Sequence, residues 1–224
     1  MTTMNPVEVT CSHCGTPSEF MKIGSTSVFG SPDLDLRPAP LARYNSAYDV
    51  QRCPHCGYCA PDISAPLVTE AAKHLIASDA YQSQLNHADF PEVANTFICW
   101  ALLAEAEGGD PKATAWAYLK AAWACDDDNQ GVLARHCRVR AAEYFQQGAS
   151  DNDAGSEDPG SDEALLTDVL RRTGQFDSAR AVCEQGLAVA ENQVIQAVLR
   201  FQQSLIARQD TGCYMIENAM GEVA

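Results

Sequence analysis

Two short cysteine turns carry the most specific chemistry in this chain. They are Cys11-Ser12-His13-Cys14-Gly15 and Cys53-Pro54-His55-Cys56-Gly57. The glycine after the second cysteine allows the positive φ with which backbone N–H groups can point at sulfur. Two such turns supply four thiolates, which is the ligand set of a closed tetrahedral zinc site. The spacing therefore predicts a structural Zn²⁺ bound by Cys11, Cys14, Cys53 and Cys56.

Three other side chains near these turns are possible metal contacts. His13 and His55 occupy middle positions of the turns, and side chains there usually point away from the metal, so we expect both to be exposed. Cys59 follows the second turn closely. It is either a reserve ligand or a thiol polarised by the nearby metal, and the sequence leaves both interpretations open.

A redox function would use the second turn differently. Cys53-Pro54-His55-Cys56 is also an active-site pattern of some thiol-disulfide oxidoreductases, in which the first thiol lies at a helix N-terminus and has a lowered pKa. Such a site needs a βαβ framework, whereas Gly57, Pro61 and Pro66 follow here and a second CxxC turn is present. An oxidoreductase or redox sensor using Cys53 and Cys56 is therefore an alternative, and an enzymatic role is less favoured than a structural one.

The charge of the chain argues against nucleic acid as a partner. The formal net charge is −15, and residues 1–66 hold four bases against six acids. An acidic protein repels nucleic acid and anionic membranes unless bases are concentrated locally. A nucleic-acid-binding zinc ribbon is consequently the second alternative, and no membrane partner is expected.

The first 65 residues predict a small metal-binding module. The run Val7–Thr10 leads into the first turn, and the alternating run Tyr48–Arg52 leads into the second. Both runs are typical of short strands, which favours a zinc ribbon or rubredoxin-like module over residues 1–65. Residues 15–52 between the turns are rich in glycine, serine and proline as far as Pro40, and predict an extended excursion.

From Pro66 onward the hydrophobic period becomes helical. Residues 66–90 predict connecting helices, with Ser78 as the cap of the second one. Residues 91–210 predict antiparallel helices. The turn at Leu170–Ala179 has a glycine, an aromatic residue two positions later and an alanine five positions later, like a tetratricopeptide (TPR) unit. The fold class is therefore α+β but mostly α, with a TPR-like helical domain that presents a concave surface.

Two segments depart from the helical pattern. Residues 149–163 carry six acids and no base among Gly and Ser, which predicts a flexible loop, and the preceding helix is expected to stop near Gly148. Residues 211–224 predict a C-terminal tail. The N-terminus lacks the features of a secretory signal, and no apolar run approaches the roughly 20 residues of a membrane span. The expected location is the cytoplasm.

The N-terminal 65 residues resemble a known bacterial family. The two CxxC turns, the segment Ser31-x-Asp33-x-Asp35, Tyr48 before the second turn and Ala60 after it are similar to the family called domain of unknown function 2225. The resemblance implies metal binding, TPR-like helices and a bacterial, cytoplasmic origin, but no activity. Together with the helices, it favours an adaptor or scaffold that binds a protein or peptide partner on its helical domain.

Overall fold

The computed structural model describes residues 1–151 and 158–221, with side chains left undescribed at 149–151. The chain forms two compact units. The first contains Met1–Val28 and Pro40–Cys137, and the second contains Phe29–Ala39 together with the described chain from Arg138 onward. The structure is mostly helical, with a small N-terminal sheet, as the sequence predicts. The sequence-based boundaries at residues 65, 90 and 210 stay a prediction.

Each cysteine turn connects two antiparallel strands of the first unit. Strands β1 (Thr2–Thr10) and β2 (Pro17–Thr26) flank the first turn, in a register that runs from Thr10 opposite Pro17 to Thr2 opposite Thr26. Strands β3 (Gln51–Arg52) and β4 (Cys59–Ala60) flank the second turn.

The segment between the turns is more regular than the sequence suggests. The expected extended excursion contains β2 and a 3₁₀ helix at Ala42–Tyr48, so the predicted strand at Tyr48–Arg52 is reduced to its last two residues. The side chain of Asn45 donates to the Thr26 hydroxyl at 2.6 Å, which fastens the 3₁₀ helix to the end of β2.

Two short helices and a helix pair complete most of the first unit. Helix α1 is Glu70–Ile76 and α2 is Asp79–Leu85, and the hydroxyls of Thr69 and Ser78 accept backbone N–H groups at their N-termini. Helix α3 (Glu92–Glu107) ends at Gly108, whose φ is 64°, and it packs against α4 (Pro111–Asp127).

The described part of the remaining chain contains five more helices. They are α5 (Gly131–Asp151), in which the boundary between the two units falls, α6 (Ser161–Arg172), α7 (Phe176–Val189), α8 (Gln193–Ala207) and α9 (Ile216–Gly221). The sequence predicts the end of α5 near Gly148, and the helix continues through this glycine as far as Asp151, the last residue described before the gap. A single glycine lowers helix stability by only about 1 kcal/mol and does not by itself end a helix.

The acidic segment and the tail are only partly described. Of residues 149–163, the ends belong to α5 and α6, and the predicted flexible loop between them lies for the most part outside the described residues. The predicted tail contains α9, and residues 222–224 lie outside the described range.

Residues 29–39, which we call the inter-knuckle strap, lie between the two cysteine turns in sequence but pack in the second unit. Leu34 N–H donates to the Tyr214 carbonyl at 2.9 Å, and Ile216 N–H donates to the Pro32 carbonyl at 2.9 Å. Asp33 pairs with Met215 in an isolated antiparallel bridge. The second unit is therefore built from two separate stretches of the chain.

Candidate metal centre

The first cysteine turn is closed by its own backbone. Cys11 N–H donates to the Thr16 carbonyl at 3.1 Å, and Gly15 N–H donates to the Cys11 carbonyl at 2.8 Å. Gly15 has a φ of 72°, in the left-handed region that favours glycine. The prediction of a positive φ after the second cysteine is therefore right for this turn.

The second turn repeats this geometry. Cys53 N–H donates to the Tyr58 carbonyl at 2.8 Å, and Gly57 N–H donates to the Cys53 carbonyl at 3.0 Å. Gly57 has a φ of 79°. A Cβ atom at this position would lie 2.5 Å from Cδ2 of Leu85 on α2, so a larger residue here would displace the buried end of the Leu85 side chain as well as strain the backbone.

The two turns bring four sulfur atoms together. The Sγ atoms of Cys11, Cys14, Cys53 and Cys56 all lie within 4.8 Å of one another. Two of these distances are 3.7 Å, between Cys11 and Cys56, and 3.6 Å, between Cys14 and Cys53. A tetrahedral zinc site with Zn–S bonds of about 2.3 Å has S–S edges of about 3.8 Å, whereas a disulfide bond is about 2.05 Å long. The four thiols thus have the chemistry and spacing of a metal site.

The pKa values of the clustered thiols depart from their usual value in both directions. Burial raises the pKa of the Cys11 and Cys56 thiols above the usual value. Hydrogen bonds from the hydroxyl and N–H of Thr16 lower the pKa of the Cys14 thiol to about 6. Four thiolates this close together would repel one another, and a bound divalent metal would offset this repulsion and stabilise the deprotonated form of all four.

Contacts from outside the turns hold them in position. The hydroxyl of Tyr81 on α2 donates to the Gly57 carbonyl at 2.8 Å, in the buried core beneath the second turn. Ser12 N–H donates to the Ile63 carbonyl at 2.9 Å, and Ser12 Oγ donates to the Ala65 carbonyl at 2.7 Å. Cys11 and Cys53 are themselves part of one apolar core with residues of α1, α2 and α3. The site and these helices therefore form one packed unit.

The other predicted contacts lie outside the four-sulfur group. His13 and His55 are exposed, as their positions within the turns suggest. The thiol of Cys59 is fully buried and donates to the Gly57 carbonyl at 3.3 Å. Burial raises the pKa of the Cys59 thiol, but a hydrogen bond with the neighbouring Cys99 thiol lowers it, and the net change in pKa is a lowering. Among the described residues, no other Cys, His, Asp or Glu joins the four cysteines in a metal-binding group.

A second cluster of charges, which the sequence does not reveal, lies in the second unit. Asp35 of the strap has a fully buried side chain. Its carboxylate accepts from Arg172 Nη1 at 2.9 Å, from Arg138 Nη2 at 3.4 Å and from the N–H of Arg37 at 3.3 Å. The last contact is the turn-forming role expected of an Asp in such a segment. The two arginine contacts identify Asp35 as a structural anchor of the strap.

The fold and the site together describe a group of four cysteines on two turns, packed against helices of the same unit. The chain belongs to the family described as "Uncharacterized protein conserved in bacteria (DUF2225)", whose profile matches residues 8–203. The resemblance seen in the sequence is therefore confirmed.

Comparison with curated proteins and with solved structures found no match. Within residues 1–151 and 158–221, no helix combines the length and the apolar character that crossing a membrane requires.

Proposed function

We propose that this protein binds one structural Zn²⁺ through Cys11, Cys14, Cys53 and Cys56 and acts as an adaptor for another protein. The observation that carries the zinc assignment is the group of four sulfur atoms within 4.8 Å of one another. Thiolates select zinc and iron over magnesium or calcium, and four of them fill a tetrahedral coordination sphere. A filled sphere leaves no position for substrate, so the metal has a structural role. Four reduced thiolates also suit the reducing cytoplasm.

The adaptor role is supported by the close packing of α6, α7 and α8. Helices α6 and α7 are joined by a short turn in which Gly174 has a φ of 78°. On α7, a Cβ atom at Gly186 would lie 2.8 Å from Cβ of Glu163 on α6 and 3.1 Å from Cδ1 of Leu199 on α8. This glycine therefore permits α6 and α8 to approach α7 closely. Stacked helix pairs of this kind form surfaces that bind peptides and proteins, which makes an adaptor the favoured function.

Two other functions are less well supported. In an oxidoreductase the reactive thiol lies at a helix N-terminus, whereas Cys53 lies in a turn between β3 and β4. A nucleic-acid-binding ribbon needs a basic surface, and the net charge of −15 opposes it.

The deciding experiment measures metal and reactive thiols on the same reduced, desalted sample. Elemental analysis should give one zinc per chain, and alkylation followed by peptide mapping should find the four cysteines protected until a chelator is added. Cys14→Ser should lose most of the zinc. Cys213→Ser, which removes an exposed cysteine outside the site, should retain it.

Three results would argue against the assignment. Zinc retained in full by Cys14→Ser would exclude this residue as a ligand. Iron in place of zinc would keep the site but change its metal. Absence of metal combined with rapid formation of a Cys53–Cys56 disulfide would support the oxidoreductase instead.

A further inference from the structure

Two adjoining depressions lie on the surface of the first unit, between the 3₁₀ helix, the start of α3 and the end of α4. They have volumes of about 240 and 430 Å³ and share Pro91 and Asp128 as lining residues. We call the pair the acidic groove. Every lining residue belongs to the first unit, so the groove is formed by that unit alone.

The smaller depression of the groove has a largely apolar lining, and the larger one contributes two apolar side chains. The smaller depression is lined by Tyr44 and Ala47 of the 3₁₀ helix and by Val93 of α3. The larger one is lined by Phe90 and Leu133. Tyr44 is 64% exposed although it is a large aromatic residue. An exposed aromatic side chain beside an apolar depression is a common feature of sites that receive a side chain from a partner.

The rim of the groove is negatively charged. Asp127 and Asp128 line the smaller depression, and Asp89 and Asp128 line the larger one. Within the part of the chain that the structure describes, neither depression is lined by lysine or arginine. Asp127 ends α4, whose last turn carries no basic residue, so the carboxylates add to the negative end of this helix dipole, although the start of α5 at Gly131 offsets part of that effect.

We propose that the acidic groove binds a positively charged segment of a partner protein. An aliphatic or aromatic side chain of that segment enters the depression beside Tyr44, and flanking lysine or arginine side chains contact the carboxylates of Asp89 and Asp128. Charge complementarity selects this occupant, because nucleic acids and anionic lipids carry the same sign of charge as the rim. This inference rests on the proposed adaptor role and names the surface and the partner chemistry.

The test selects peptides from a displayed library of random 12-residue sequences on the full-length, zinc-loaded protein. The selected peptides should combine at least two lysine or arginine residues with an aliphatic or aromatic residue. Their dissociation constants are then measured by fluorescence anisotropy on the wild type and on three variants. Asp89→Lys with Asp128→Lys reverses the rim charge, and Tyr44→Ser removes the exposed aromatic ring. Glu191→Lys changes an exposed acid of the second unit as the charge control.

We expect the double rim variant to weaken binding roughly tenfold or more, and Tyr44→Ser to weaken it about threefold or more, with less than a twofold change for the control. Equal losses in the rim variant and the control would mean general charge attraction and would overturn the inference. Peptides that bind without basic residues, or that ignore all the groove variants, would overturn the groove but leave the adaptor role standing.

Two other results would bear on the adaptor role itself or on the identity of the molecule that occupies the groove. Failure to select any binding peptide would count against both the groove and the adaptor role. Self-association of the wild type that is abolished by Tyr44→Ser would identify a second copy of the chain as the occupant and would overturn the proposed partner chemistry.

Discussion

Replacing Asp35 by asparagine is expected to destabilise the second unit while leaving the first largely folded. Asparagine has nearly the same size as aspartate but carries no charge. The substitution therefore leaves Arg138 and Arg172 without the carboxylate that they share. Their side chains are only 3% and 10% exposed, so water cannot replace the lost anion.

The size of the effect follows from this burial. Removing one partner of a buried ion pair costs about 3–5 kcal/mol. The amide oxygen of asparagine can still accept one hydrogen bond, most readily from Arg172 at 2.9 Å, so we expect the lower end of this range. A unit of about 100 residues has a stability of roughly 5–15 kcal/mol, and a loss of about 3 kcal/mol lowers its melting temperature by roughly 12 °C or more.

The assay combines two optical signals during urea and thermal unfolding. Trp100, Trp116 and Trp123 all lie in the first unit, so tryptophan fluorescence reports on that unit alone. Far-ultraviolet circular dichroism reports on the helices of both units. Asp35→Asn should shift the dichroism transition and leave the fluorescence transition close to that of the wild type.

The matched control is Asp177→Asn, which makes the same change in an ion pair with Arg180 whose Asp side chain is fully exposed. It should change stability by less than about 0.5 kcal/mol. The reasoning would be refuted if Asp35→Asn were as mild as this control. It would also be refuted if fluorescence and dichroism shifted together by the same amount.

Two further predictions concern the cysteine turns and the dependence of stability on pH. Gly57→Ala should destabilise the first unit by roughly 2 kcal/mol more than Gly15→Ala. Both positions have a positive φ, but only at position 57 would the new Cβ lie 2.5 Å from Leu85. Thermal unfolding of both variants measures the difference, and equal losses of stability would contradict the prediction. Bonds from the Tyr214 hydroxyl and the Gly212 N–H lower the pKa of Asp210. Because the pKa is lower in the folded state, the ionised carboxylate contributes stability above the unfolded-state pKa, and this contribution is lost as the pH falls through the folded-state pKa. Tyr214→Phe should therefore destabilise the protein at neutral pH but not in strong acid. Urea unfolding at several pH values measures this, and a loss of stability that is independent of pH would contradict the prediction.

Local features of this fold could be predicted from the sequence. The spacing of Cys11 to Cys14 and of Cys53 to Cys56 indicates the two turns, because each turn is closed by hydrogen bonds within six residues. The sequence also predicts Ser78 as a cap, and its hydroxyl accepts the N–H of Tyr81. These features depend on contacts between neighbours in sequence, and so their pattern is visible in the residues themselves.

Apart from the meeting of the four cysteines, which their shared metal chemistry predicts, long-range contacts are not visible in the sequence. The partners of Asp35 lie 103 and 137 residues away in the chain, and nothing in the segment around it indicates which arginines it meets. Strand β2 is not predicted from the sequence. Before Thr26 it has only three partly buried positions, and one of them is a serine, so the alternating apolar pattern is weak; the three are Ser18, Phe20 and Ile23. Its partner β1, rather than its own composition, makes it a strand.

The inter-knuckle strap also fixes an order of events during synthesis. A ribosome adds about 5–20 residues per second, so Arg172 emerges roughly 7–27 s after Asp35. Both cysteine turns are complete early in this interval. With zinc bound as proposed, the nascent chain would hold the strap by its two ends before the helices that receive it have been made. The supply of metal to the emerging first unit would thereby affect how soon Asp35 contacts its two arginines. Zinc limitation would then slow the folding of the second unit, although that unit contains none of the four proposed metal ligands.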